Sequence, residues 1–158
     1  RVLVVTGDIP LINTRAIENF IDLCDNQDAD LYYPIIPREV LEMSYSSSKR
    51  TYVSLKDGVF TGGNVFILNP KVVLRCIPEG EKLIKARKSP LKLCRIVGVM
   101  FLIKFLLHSV TLEEAQKKVS NLLDIKGKVV ISMDPELGLD VDKPCDLELV
   151  NRKLGIAK

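Results

Sequence analysis

Three acids stand where a cation could be held: Asp8, Asp140 and Asp142. Asp8 follows Arg1-Val2-Leu3-Val4-Val5-Thr6-Gly7 and precedes Ile9-Pro10. The aliphatic run reads as a short strand buried on both faces. Gly7 ends it, so Asp8 stands at the strand's carboxyl end, where ligands bind in open α/β sheets. Asp140 and Asp142 alternate within the acidic loop Asp134 to Asp142, so an extended backbone points both to one side. Carboxylates that converge repel one another unless a divalent cation neutralises them. The competing reading is that Asp140 and Asp142 merely precede and cap the last helix.

Thr61-Gly62-Gly63-Asn64 is a second candidate. Adjacent glycines let the backbone approach a ligand, with Asn64 free to hydrogen-bond a sugar or base edge. They equally suit a β-bulge or tight bend. Lys49 and Arg50 are placed to neutralise phosphates; a solvated surface charge is the plainer reading of each. His108, the single histidine, suits the negative end of a helix as a cation rather than a catalytic role.

These residues need elements to hold them. A helix is expected from Arg15 to Asn26 behind Asn13-Thr14, with Ile17, Phe20, Ile21 and Cys24 on one face. Leu31 to Ile36 contains Pro34, which predicts a short or edge strand. Pro37 to Lys49 reads as a loop with one helical turn at Glu39 to Met43. Asp57-Gly58 between two strand-like runs predicts a hairpin with a type I′ turn. Val65 to Leu68 is a buried strand. Helices follow at Pro70 to Ile77, Gly80 to Arg87, Pro90 to His108 and Leu112 to Asp124. The third carries Pro at its first position; the fourth opens on a capping box from Thr111. Lys128 to Ser132 is the last strand, and a helix runs from Pro144 to about Leu154-Gly155. Strands and helices alternate at both ends, which predicts an α/β fold with a mostly parallel sheet.

With 158 residues, 47% hydrophobic and 27% charged, the chain is globular and fits one domain, 1–158. A net charge of +3 with scattered bases and no Trp argues against nucleic-acid binding. Cys24, Cys76, Cys94 and Cys145 form no CxxC pair and read as reduced thiols of a cytoplasmic protein. The apolar stretch Leu91 to Leu107 is interrupted by Lys92, Arg95 and Lys104, so no membrane span and no membrane partner are expected.

Three segments in order carry a resemblance: Val4-Val5-Thr6-Gly7-Asp8-Ile9-Pro10-Leu11, Phe60-Thr61-Gly62-Gly63-Asn64-Val65-Phe66 and Gly138-Leu139-Asp140-Val141-Asp142-Lys143-Pro144-Cys145-Asp146-Leu147. Together they resemble the MobA-like NTP transferases, the nucleotidyltransferases related to the molybdenum cofactor guanylyltransferase. The resemblance implies a Rossmann-like domain of the nucleotide-diphospho-sugar transferase (GT-A) type. It also implies that this chain matches the later two thirds, with the N-terminal third and its Gly-rich phosphate loop missing. It implies Mg2+-dependent transfer of a nucleoside monophosphate from a nucleoside triphosphate to a small phosphorylated or similar acceptor, releasing pyrophosphate. Asp8 would be catalytic and bind the metal, with Asp142 as second ligand and Asp140 as fallback. Gly62, Gly63 and Asn64 would line the acceptor pocket, with Lys49 and Arg50 near substrate. Lys143 and Cys145 depart from the Thr and Glu often found there. Loss of the first strand would expose the edge of Val2 to Val5, which predicts a homo-oligomer through that edge. The alternative is a non-catalytic α/β binding or assembly module that kept the fold.

Overall fold

The computed structural model describes residues 1–24, 28–46, 50–86 and 89–156. In chain order the elements are β1 (Val2–Val5), α1 (Thr14–Cys24), β2 (Leu31–Pro37), α2 (Arg38–Ser44), β3 (Val53–Leu55), β4 (Gly58–Gly62) and β5 (Val65–Leu68). Then come α3 (Pro70–Ala86), α4 (Pro90–Val97), α5 (Val99–Leu106), α6 (Leu112–Leu123), β6 (Gly127–Ile131), a 3-10 turn (Pro135–Gly138) and α7 (Pro144–Leu154).

The fold is α/β, but the sheet is mostly antiparallel, not mostly parallel as expected. Among the described residues only β2 and β6 pair in parallel; β1–β5, β2–β5, β2–β4 and β3–β4 are antiparallel. The reason is one inserted strand. β1, β2 and β6 run the same way, as helical crossovers require. The run β4–β5 comes back against them; β5 lies between β1 and β2, and β4 between β2 and β3.

That run is bent in the middle. Ile35 faces Gly62 while Tyr32 faces Ile67, so five steps of β4–β5 stand opposite three of β2. Gly63 and Asn64 are the two extra residues, a bulge that bends the strand. The bulge explains why Pro34 sits in a central strand rather than the edge its ring predicts. A strand residue's N–H and C=O point the same way. Pro34 O accepts from Gly63 N at 2.8 Å, so its missing donor faces the bulge, where the ladder is already interrupted.

Other differences are local. β1 is a sheet edge, pairing with β5 only among the described residues, so Val2 and Val5 stay 46% and 40% exposed instead of buried on both faces. The hairpin forms, but Leu55 pairs with Gly58 and the loop is Lys56-Asp57. Among the described residues neither of these has the positive φ a type I′ turn needs; Gly58 does, at 146°. Arg38–Ser44 is a full helix where a loop with one turn was read. The two helices expected from Pro70 to Arg87 are one, with Pro78 inside. The helix expected from Pro90 to His108 breaks at Gly98, φ 87°. The capping box at Thr111 and Glu114 is present. Cys24 is buried, Cys76 and Cys94 are half-buried, Cys145 is exposed, and none of the four is in a disulfide among the described residues.

The core lies on one face of the sheet, where Phe20 of α1, Leu41 of α2, Leu137 and Leu149 of α7 close over Tyr32, Ile36 and Val65. On the other face α6 stands off the sheet, leaving a cavity of about 480 Å3 whose lining includes Tyr33, Ile35, Phe60, Gly62, Val119 and Val129.

Candidate metal centre

Asp8, Asp140 and Asp142 come together. Each offers a carboxylate oxygen, and the three oxygens lie within 4.8 Å of one another. Asp8 and Asp142 are exposed and Asp140 is half-buried. The placement is made by main chain. Val141 N donates to Asp8 O at 2.9 Å, which draws the C-terminal loop against the end of β1. Thr6 N donates to Asn64 O at 3.0 Å, and Asn64 N to Leu137 O at 2.7 Å. A chain of backbone hydrogen bonds therefore ties β1, the bulge and the 3-10 turn into one frame.

Side chains fix the loop further. Asn19 donates from α1 to both oxygens of Asp134, at 3.0 and 3.2 Å. Asp134 is thus a bracket for the loop, outside the acidic triad. Asp146, 1% exposed, sits in the first turn of α7. Its carboxylate accepts from the backbone N–H groups of Asp142 at 3.2 Å and Lys143 at 3.0 Å. That carboxylate caps the helix, so Asp140 and Asp142 are free of the capping role that competed for them.

Arg50 is turned toward the protein. Its side chain is 6% exposed, and its guanidinium donates to both the carboxylate and the main-chain carbonyl of Asp140, with Asp146 at 3.4 Å. It is a buried strut under the triad; its Nε has no hydrogen-bond partner among the described residues. Lys49 lies outside the described residues. The glycines divide as well. Gly62 lines the cavity beneath α6, where a Cβ would stand 2.0 Å from the Tyr33 hydroxyl. A Cβ on Gly63 would stand 2.7 Å from Pro34 Cγ and 3.3 Å from Leu137 O. Asn64 contributes its main chain to the frame. Of the three, Gly62 alone lines that cavity.

Sequence reasoning missed Asp146 and the role of Arg50. The first carried a signal: an acid three residues past Lys143, with Pro144 at the first helical position, marks a helix start. The second carried none, since 90 residues separate Arg50 from Asp140.

The donor set suits a hard cation. Opposed oxygens on an octahedral Mg2+ stand about 4.2 Å apart, close to the spread seen here. The electrostatics agree. Burial raises the Asp140 carboxyl above its ordinary value and Asp142 adds to this, while Arg50 pulls the other way. Two carboxylates this near one another resist joint ionisation without a positive partner.

The chain is similar to a solved structure from Thermus thermophilus described as a hypothetical transferase. The two are 36% identical with a TM-score of 0.82, over 92% of this chain and 62% of that one. The chain thus spans less than two thirds of that protein's length. No family model and no curated protein matches the sequence.

Proposed function

We propose that the chain is the cation-holding part of a metal-dependent nucleotidyltransferase of MobA-like type. The reaction would move a nucleoside monophosphate from a nucleoside triphosphate to a phosphorylated or similar acceptor. An acceptor oxygen forms the new bond to the α-phosphorus, and pyrophosphate leaves with the bond it held. The observation that carries this reading is the meeting of Asp8 with Asp140 and Asp142. The likeness to a hypothetical transferase supports the transferase class.

Asp8 and Asp142, the exposed pair, would be the principal ligands of Mg2+, with Asp140 held ready by Arg50. Bound there, the ion supplies charge neutralisation for substrate phosphates. The chain's own residues position it: the backbone frame sets the carboxylates, and Arg50 keeps the Asp140 loop from relaxing away. The acceptor site belongs at the β4–β5 bend, with Gly62 on its cavity side. The family's glycine-rich phosphate cradle has no counterpart in the sequence of residues 1–158. The outer edge of β1, with Val2 and Val5 exposed, is the place for a strand from a second copy, checked by sedimentation velocity.

Titration calorimetry with Mn2+, then with a nucleoside triphosphate plus Mn2+, tests the proposal. Cation binding that disappears in Asp8→Ala supports it. Equal binding by the wild type and a triple Asp8→Ala, Asp140→Asn, Asp142→Ala variant sinks it. Cation binding with no nucleotide binding at millimolar concentration would favour a non-catalytic module.

A further inference from the structure

Charge is unevenly divided along the chain. Residues 82–112 contain Lys82, Lys85, Arg87, Lys88, Lys92, Arg95 and Lys104 and neither Asp nor Glu. That segment is +7 while the whole chain is +3, which leaves −4 for the remainder (+3 minus +7). Its described bases Lys82, Lys85, Lys92, Arg95 and Lys104 are all exposed. Lys82, Lys85 and Lys104 pair with Glu79, Glu81 and Glu114, but these pairs are solvent-exposed and weakly bound.

The same block presents an apolar stripe to water. On α5, Val99, Ile103 and Leu106 recur at i, i+4 and i+7, with Met100 and Leu107 beside them. Their exposures are 62%, 46%, 67%, 70% and 71%. The opposite face is settled by contacts: the Phe101 ring lies under Lys118 of α6, and Lys104 pairs with Glu114 of α6. The segment after α5 is anchored to the β3–β4 hairpin, where Lys56 N donates to Val110 O at 2.9 Å and Leu112 N to Asp57 at 2.6 Å. The stripe is therefore held outward on a fixed support. Contiguous exposed apolar residues of this kind mark an interaction surface.

We propose that the α4–α5 block docks on an anionic membrane surface, the α5 stripe entering the headgroup layer while the surrounding bases face lipid phosphate. A short helix with an apolar face and Lys/Arg beside it is the form that lies in an interface. The expectation of no membrane partner rested on spanning length. No described helix is long and apolar enough to cross a membrane, but lying on one requires no such length. A second copy fits this block poorly, because a two-fold contact sets the same +7 segment against itself. Nucleic acid fits poorly too, since the outward stripe is aliphatic and gives bases nothing to stack on.

The test is co-sedimentation with vesicles of phosphatidylcholine alone or mixed with phosphatidylglycerol. Binding to the mixed vesicles should be about tenfold tighter or more, and should weaken as salt rises. Ile103→Asp and Leu106→Asp should abolish it while melting temperature and Mn2+ binding stay unchanged. Lys92→Glu with Arg95→Glu should remove the preference for the anionic lipid. No binding to either vesicle, or equal binding by wild type and Ile103→Asp, overturns the proposal. So does a dimer that Ile103→Asp dissociates, seen without vesicle binding, since that assigns the face to a second copy.

Discussion

Arg50 and Asp140 are joined twice: one guanidinium nitrogen meets the carboxylate and another meets the main-chain carbonyl of the same residue. The first bond orients an acid of the triad, and the second fixes the loop that carries it. Asp146 on the far side of the guanidinium extends the link to the start of α7.

Removing that strut leaves two acids without their cation, one of them 1% exposed. Arg50→Met should therefore cost about 3–5 kcal/mol of stability, the scale for breaking a buried pair, read by urea unfolding. Arg50→Lys should recover only part of it, because a point charge cannot meet two oxygens at fixed angles.

Asp8 behaves differently, because its side chain is exposed and its carbonyl, not its carboxylate, holds Val141. Asp8→Asn should shift stability by less than about 0.5 kcal/mol yet weaken Mn2+ binding about tenfold or more, a loss of ~1.4 kcal/mol. Thermal melts and calorimetry on the same sample separate the two effects.

The raised Asp140 carboxyl gives a pH dependence with a definite sign. Burial raises it above 3.8 and Asp142 adds to this, with Arg50 opposing. The folded chain holds a proton that the unfolded chain has released. The stability this group contributes is complete below the ordinary carboxylate range and is lost as pH rises through the raised value. A divalent ion relieves the ionised triad, so Mn2+ should raise the melting temperature at about pH 7 and much less at about pH 4, where protons compete for the ligands. Equal shifts at both pH values would contradict the assignment.

The two glycines of the bend make opposite predictions. A Cβ on residue 62 meets the Tyr33 hydroxyl at 2.0 Å and the ring carbon behind it at 3.0 Å. Gly62→Ala should cost about 1–3 kcal/mol, and Tyr33→Phe in the same chain should return part of it. A Cβ on residue 63 meets the Pro34 ring and the carbonyl oxygens of Pro34 and Leu137. Gly63→Ala should cost at least as much and gain nothing from Tyr33→Phe.

The reach of the sequence reading follows from where each signal lies. Asp8 with Asp140 and Asp142 was legible because strand, glycine and acid are adjacent, and because alternation in a short loop puts two acids on one side. The helices with caps or Pro at their first turn were legible for the same local reason. Strand direction was not. A parallel sheet follows from alternating strands and helices only if nothing is inserted between the parallel-running strands, and β5 stands between β1 and β2. Pro34 misled because its tolerance depends on a bulge that another segment supplies. Gly62-Gly63 offered either approach to a ligand or a bulge, and the bulge is present, with Tyr33, Pro34 and Leu137 as close neighbours.

The backbone bond from Val141 to Asp8 closes a loop of 133 residues (141 minus 8). Such a closure is reached late, after the hairpins and helices have formed, because ordering entropy must be met before the distant contact returns anything. During synthesis the end of β1 therefore waits until the segment around Val141 has left the ribosome. Until then the chain holds one carboxylate of the three, so cation affinity at the proposed site would report completed folding rather than early collapse.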